Sequence, residues 1–310
     1  GEKRPRVGVG VGADVLDLPA AAAHAVPDRA GLFADGTLDP LLAAGSPASA
    51  LGRPALLALV HAPPAARPPW PARRLVLWVR GWAGFVYATC GAPGVYGAVL
   101  CSTHMLMHMA VAMLVPLLLV PAAPILLALR ALQARPDKTW GPRELVLQVV
   151  HSRALRVLSN PVVAAALFFF SLAIFYYSPL FELALRTHTG HGLMMLRFLT
   201  TGYLFVRVLI GIDPGPKKWP PLMLLVVLFA TMSFHAFFGV VMTGSTTLLA
   251  PEFFEAVKLP WMTNPLGDQH EAGAIAWGIG EAPTVALTLL VAIAWVRPDR
   301  LVARDPDLQP

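Results

Sequence analysis

Charged residues are scarce in this sequence. Only 14% of the 310 residues are Asp, Glu, Lys or Arg, whereas 56% are hydrophobic, and the mean hydropathy is +0.62. Soluble domains carry about 25% charged residues. This deficit predicts a protein embedded in a lipid bilayer and argues against a water-soluble globular fold.

Cysteine is almost missing as well. Cys90 and Cys101 are too few for a disulfide framework and do not have the spacing of a zinc site. Cys101, three residues before His104, has two interpretations: it is a metal ligand, or it forms a disulfide with Cys90. The net charge of +6 does not predict nucleic-acid binding, because the basic residues lie between apolar runs, as the positive-inside rule expects.

Residues 1–68 contain no apolar run of the about 20 residues that a membrane-spanning helix needs. They are rich in Ala, Pro, Gly and Arg, a composition that predicts an irregular or disordered segment. We therefore expect three regions: this N-terminal segment, a transmembrane domain at 69–300 and a cytoplasmic tail at 301–310.

Long apolar runs follow residue 74. Each approaches the length of a spanning helix, and they lie at 75–97, 104–132, 161–185, 191–212, 219–243 and 274–296. The sequence thus predicts an all-α, polytopic bundle of six transmembrane helices. Basic residues cluster in alternate loops, and the loop at 244–273 is acidic. The positive-inside rule then places both termini in the cytoplasm and that loop outside the membrane.

Ionisable side chains interrupt the apolar runs near one predicted surface. His104 and His108 open the second run, and a rise of about 1.5 Å per residue brings His235 and Glu281 to a similar shallow depth. An ionisable residue inside a membrane helix is by default a hypothesis of function. The remaining histidines near this surface are expected in loops, simply solvated: His188, His191 and His270.

The spacing of these residues suggests a copper site. Residues four apart share a helical face, so His104 and His108 form a pair, with Met105 and Met109 in the adjacent stripe. Imidazole nitrogen suits copper, and soft thioether sulfur selects Cu(I). Glu281 has three possible roles: a ligand, an acceptor that orients an imidazole, or a proton acceptor.

Each residue type also has a purely structural role in membrane proteins. Methionine fills gaps in apolar cores, and a single histidine such as His235 can hydrogen-bond helices together. The pairing of His104 with His108 strengthens the metal interpretation until the two interpretations stand level, and both stay open.

Several segments together resemble the CtaG family of cytochrome c oxidase assembly membrane proteins, in its actinobacterial type. They are "STHMLMHM", "GYLF" leading to "LIGIDPGP", "FHAFFGVVMTGSTTLLAP" and "GAIAWGIGEAPT", and the resemblance runs from about residue 70 to 297. It implies a non-enzymatic, multi-pass protein of the bacterial plasma membrane that helps to mature the oxidase. Its implied partners are oxidase subunits, a copper donor protein and the lipid bilayer, and its implied cargo is copper.

The resemblance implies that the family's functional positions correspond here to His104, His108, His235 and Glu281, which are the candidate metal or functional residues.

The chain departs from the family pattern in two respects. The family has seven helices, and it has a histidine in "HF" where this chain has Arg197 in "RF"; a guanidinium cannot ligate a metal.

Two other functions compete with copper delivery. A b-type cytochrome would use paired histidines from two helices as axial haem ligands. A copper transporter would need polar groups through the whole bilayer, yet the inner halves of the second, fifth and sixth runs are almost entirely apolar.

Overall fold

A computed structural model describes residues 70–132, 140–213, 219–257 and 262–304, with side chains up to Val296 apart from that of His188. The predicted N-terminal segment 1–68 and the end of the predicted tail, residues 305–310, lie outside the described residues.

All regular secondary structure in the described ranges is helical. In chain order the helices are α1 (Ala72–Cys90), α2 (Ala92–Tyr96), α3 (Cys101–Met109), α4 (Val115–Leu119), α5 (Pro124–Ala131), α6 (Pro142–Val150), α7 (Arg153–Leu158), α8 (Pro161–Tyr176), α9 (Pro179–Arg186), α10 (His188–Ile210), α11 (Pro221–Thr243), α12 (Pro251–Val257) and α13 (Pro265–Arg304). A π-helical turn, Ala110–Leu114, joins α3 to α4, and a 3₁₀ turn, Val120–Ala122, joins α4 to α5.

Long apolar helices confirm the predicted fold class. Four segments of the described chain have the length and composition to cross a membrane: Cys101–Ala131, Thr189–Ile210, Pro221–Thr243 and Pro265–Val296. The α8–α9 pair makes a fifth if it is counted as one span. The predicted first helix is present as α1, but it carries three arginines in 19 residues and ends before Gly91, so it is not among these segments. The predicted orientation of the helices stays a prediction.

The run predicted as one helix at 161–185 is a bent pair. Its two halves meet at 75°, and the break falls at Ser178, directly before Pro179. The residue before a proline is disfavoured in the α conformation. Ser178 instead caps α9, accepting a hydrogen bond from Leu180 N at 3.3 Å.

The helical segment that carries His104 and His108 is irregular on the C-terminal side of these residues. Its π-helical turn precedes Pro116, which has no N–H to donate, and π turns occur mostly at functional sites. The turn packs against α10 at Gly202, where a Cβ would overlap the carbonyl oxygen of Ala112. Only glycine permits this approach.

α13 forms one wall of the bundle and packs along α11 and α3. Two glycines bring α11 and α13 together: a Cβ on Gly239 would lie 2.7 Å from the carbonyl oxygen of Gly273, and the reverse distance is also 2.7 Å. Small residues let membrane helices approach this closely. The contact fixes which face of α13 is turned toward the interior.

Candidate functional site

His104 lies near the start of α3 and is fully buried. Its Nδ1 donates a hydrogen bond to the carbonyl oxygen of Gly97 at 3.0 Å. Because a carbonyl can only accept, this bond fixes the tautomer and leaves the lone pair on Nε2. The Nε2 atom is buried and has no hydrogen-bond partner among the described residues. An imidazole held in this way is oriented as metal-ligating histidines are.

Two further imidazoles are buried with unpaired nitrogens. His108, one turn along α3, has no partner for Nδ1, and His235 on α11 has none for either ring nitrogen within the described ranges. The His108 ring packs against Phe198, with centroids 3.7 Å apart. A buried polar group left unpaired costs about 1–3 kcal/mol. Several such atoms in one region therefore require an explanation.

Met109 and His235 both lie beside Gly280 of α13. A Cβ placed on Gly280 would lie 3.3 Å from His235 Cδ2, 3.6 Å from His235 Nε2 and 3.8 Å from Met109 Sδ. Because glycine has no Cβ, this position stays free between a ring nitrogen and a thioether sulfur, and we call it the Gly280 gap. Met105 is fully buried on the same helix.

An aromatic wall surrounds the two α3 histidines. The His104 ring lies 5.3 Å from Phe181 and 6.0 Å from Tyr176 between centroids, and the Tyr176 hydroxyl is buried without a partner in the described part of the chain. The His191 ring lies 6.2 Å from that of His104. His191 was expected both to open the run 191–212 and to be a solvated loop residue; the first expectation is confirmed, because α10 begins at His188 and carries His191 to the edge of the site.

Arg197, where the resemblance implied a histidine, lies beside the aromatic wall. Its Nη1 donates to the carbonyl oxygen of Ser171, and its guanidinium carbon lies 4.6 Å and 4.4 Å from the ring centroids of Phe175 and Phe198. The two rings hold the cation by cation–π contacts. Phe198 therefore separates a fixed positive charge from the His108 ring.

Glu281 does not join the histidines. It lies exposed on the outer surface of α13 and makes no hydrogen bond or ion pair with any described residue; its neighbour Gly280 faces the interior instead. Across the described residues, no three His, Cys, Asp or Glu side chains lie close enough together to hold a metal ion. Any metal held between these helices would thus depend on methionine sulfur.

The sequence did not predict that Asp268 contacts the start of α3. From the first turn of α13 its carboxylate accepts hydrogen bonds from the backbone N–H groups of Cys101 at 2.6 Å and Ser102 at 3.3 Å, and from the Ser102 hydroxyl. It therefore caps α3 from 167 residues away. In the sequence, an acidic residue at a helix start suggests only that it stabilises its own helix.

Both cysteines are free, with Cys101 buried and Cys90 exposed, so the predicted alternative of a disulfide between them is wrong.

A second buried polar cluster lies at the opposite end of the bundle. Asp213 accepts hydrogen bonds from Leu126 N at 3.0 Å and from the Tyr203 hydroxyl at 3.4 Å, and buried Arg207 donates to the Ser159 hydroxyl at 3.4 Å. Burial raises the pKa of the Asp213 carboxyl above its usual value, and the Leu126 N–H and the charge of Arg207 partly oppose that rise.

Comparison with known proteins gives the family. Uncharacterized proteins of Mycobacterium leprae (strain TN) and Mycobacterium bovis (strain ATCC BAA-935 / AF2122/97) are 41% and 40% identical over 239 residues, which are 77% of this chain and 36% of each relative. The chain thus spans about a third of the length of the curated relatives it matches. No solved structure matches it.

The model of the cytochrome c oxidase caa3 assembly factor family, Caa3_CtaG, matches residues 55–298, beginning within the predicted N-terminal segment. With its apolar helices, the chain is a multi-pass bacterial membrane protein that belongs to the cytochrome c oxidase caa3 assembly factor family.

Proposed function

We propose that this protein assists the assembly of cytochrome c oxidase by holding Cu(I) as cargo between α3 and α11 and releasing it to the catalytic subunit. The family supports the assembly role. The single observation that supports copper is the gap at Gly280, which a ring nitrogen of His235 and the sulfur of Met109 both face.

The chemistry of this gap favours Cu(I) over harder or divalent ions. Its donors are neutral imidazole and thioether, which suit soft Cu(I), whereas Zn²⁺ sites in proteins are built from thiolate, imidazole and carboxylate. The cost of burying an ion rises with the square of its charge, so a monovalent ion enters an apolar interior at a lower cost than a divalent one. Binding would also give the unpaired nitrogens a partner.

The other histidines supply a path toward the surface. His104 and His108 lie one turn apart, about 6 Å along the helix axis, and His191 is only half buried at the edge of the site. In this proposal a copper donor protein loads the ion near His191 and His104, and the ion moves along α3 toward Met109. The role is one of binding and transfer, without catalysis.

Metal analysis of the detergent-purified protein tests this proposal. After loading with Cu(I) and dialysis, we expect bound copper whose X-ray absorption spectrum shows nitrogen and sulfur neighbours. Met109→Leu and His235→Leu should each weaken copper binding by about tenfold or more. Met242→Leu is the matched control, because Met242 is fully buried on α11 and a Met-to-Leu change nearly conserves volume.

Three results would contradict the copper proposal. The first is unchanged affinity in Met109→Leu and His235→Leu, and the second is an equal loss in Met242→Leu. The third is a haem absorption spectrum in the purified protein, which would support a cytochrome instead.

A cellular measurement tests delivery separately from binding. Cells with His104→Ala or His108→Ala should accumulate oxidase that retains haem but is short of copper and activity. Copper added to the medium should partly restore activity, because a weakened site fills at higher metal concentration. Normal copper content in the oxidase of the double variant would contradict delivery through these histidines.

A further inference from the structure

Glu281 is a carboxylate without a hydrogen-bond partner among the described residues, inside a helix that can cross the membrane. It falls inside the segment Pro265–Val296, which is long and apolar enough to cross a membrane, about 24 Å from Pro265 at 1.5 Å per residue. Its neighbour Gly280 approaches His235 and Met109 in the interior, which places Glu281 at the depth of those residues but on the outside of the bundle. No described residue pairs with it.

A hydrocarbon environment suits the exposed neighbours of Glu281 but not Glu281 itself. The exposed side chains nearest to it on this face of α13 are apolar: Trp277, Val285 and Leu289. Hydrocarbon tails solvate such groups without any protein partner. A carboxylate in the same surroundings lacks every hydrogen bond that water would supply, and residues of this kind in membrane helices pair with another group or mark a functional surface.

The surface around Glu281 has room for a second helix. Ala274, Gly278 and Ala282 are exposed on the same side at intervals of four residues, and a Cβ on Gly278 would meet nothing within 4 Å. This spacing of small residues allows two membrane helices to approach closely.

We propose that this face of α13 docks a transmembrane helix of a partner protein that carries a lysine, an arginine or another hydrogen-bond donor within the membrane, at the level of Glu281. Charge complementarity identifies this chemistry, because a donor would satisfy the Glu281 carboxylate. A symmetric pairing of two copies through this face would instead bring two Glu281 carboxyl groups together, so that neither would meet a basic donor. The docked helix would cover the outer side of α13 directly behind the Gly280 gap.

Model peptides in lipid vesicles test this proposal without copper or oxidase. The protein is labelled with a fluorescent acceptor on Cys90, which is exposed whereas Cys101 is buried, and is reconstituted in phosphatidylcholine vesicles. Donor-labelled, leucine-rich transmembrane peptides carry lysine, glutamine or leucine at their centre. We expect energy transfer to report binding in the order lysine, glutamine, leucine, with the lysine peptide about fivefold or more tighter than the leucine peptide.

Variants of the protein locate the binding face. Glu281→Leu should reduce binding of the lysine peptide to that of the leucine peptide, and Glu281→Gln should retain part of the preference. Leu290→Ala is the matched control, because Leu290 is exposed on the opposite side of the same helix and should not alter binding.

Three outcomes would overturn the proposal: equal binding of the lysine and leucine peptides, unchanged binding by Glu281→Leu, or a homodimer that Glu281→Leu abolishes. The last would show that a second copy covers this face. None of these results depends on metal, so a failure here leaves the copper proposal standing, and loss of the copper proposal leaves this one standing.

Discussion

The two ends of the bundle differ in how far their buried polar side chains are paired. Around Asp213, each side chain has at least one partner: the carboxylate accepts from Leu126 N and the Tyr203 hydroxyl, and Arg207 is paired through Nη1, though not through Nε within the described residues. Around His104 and His108, ring nitrogens stay without partners in the described chain, although they are just as deeply buried. A cluster that only stabilises a fold is expected to satisfy its own members. We therefore expect the Asp213 end to stabilise the fold, and the unpaired nitrogens at the histidine end agree with the metal-binding role proposed above.

The largest predicted effect is on stability at the Asp213 end. Asp213→Ala removes the acceptor for Leu126 N and leaves the Arg207 charge buried without a nearby carboxylate, so we expect a loss of about 3 kcal/mol in the free energy of unfolding. Asp213→Asn keeps an acceptor oxygen and should lose less. Thermal unfolding in detergent measures both. If Asp213→Ala lost no more free energy of unfolding than a histidine variant does, the two ends of the bundle would not differ in this way.

A smaller loss is predicted where α13 caps α3. Asp268→Ala removes the acceptor for the Cys101 and Ser102 N–H groups and should reduce the free energy of unfolding by about 1–2 kcal/mol. Because α3 carries His104 and His108, the variant should also weaken Cu(I) binding. Asp268→Asn, which can still accept a hydrogen bond, is the control. Unchanged stability in Asp268→Ala would show that α3 does not need this cap.

The pH dependence of stability should differ between wild type and Asp213→Asn. The folded-state pKa of Asp213 lies above its unfolded value, which is about 3.9. The folded state therefore binds this proton more tightly, and the resulting stabilisation is complete below the unfolded pKa and is lost as the pH rises through the folded pKa. We expect wild type to lose stability relative to Asp213→Asn as the pH rises from about 4. Parallel melting-temperature curves for the two proteins would contradict the raised pKa.

The smallest effect on stability is predicted at the histidine end. His235→Leu removes two buried nitrogens that have no partner in the described residues and leaves an apolar side chain, so stability should change by less than about 0.5 kcal/mol or rise. Unfolding in detergent without copper is the measurement. A loss as large as that of Asp268→Ala would mean that the His235 nitrogens are satisfied in the membrane, and the two ends would no longer differ.

Much of the helix pattern could be predicted because hydrophobic length is a local property. The run predicted at 219–243 is helical at Pro221–Thr243, and that at 191–212 is helical at His188–Ile210. The bend at Ser178 was missed although its proline is visible in the sequence, since prolines are tolerated inside other spans, such as Pro283 in α13. α13 also begins nine residues before the predicted run, because the acidic first turn is anchored by tertiary contacts of Asp268.

The sequence could predict which residues share a level in the bundle but not which way they face. A fixed rise per residue predicted a common layer for His104, His108, His235 and Glu281, and in the structure Gly280 lies beside His235 and Met109. The rotation of each helix depends on its neighbours, and it turns Gly280 toward His235 while it turns Glu281 outward.

By itself, the sequence determined that this is an all-α membrane protein with a pair of histidines and methionines at the start of one long helix. Composition, run length and four-residue spacing are properties of the chain that hold whatever the helices pack against. Only the tertiary structure decided that Asp268 caps α3, that Met109 and His235 share the Gly280 gap and that Glu281 faces away from it. The physical reason is that these relations join residues far apart in the chain, and close contacts such as Gly239 with Gly273 fix the rotation of the helices that carry them.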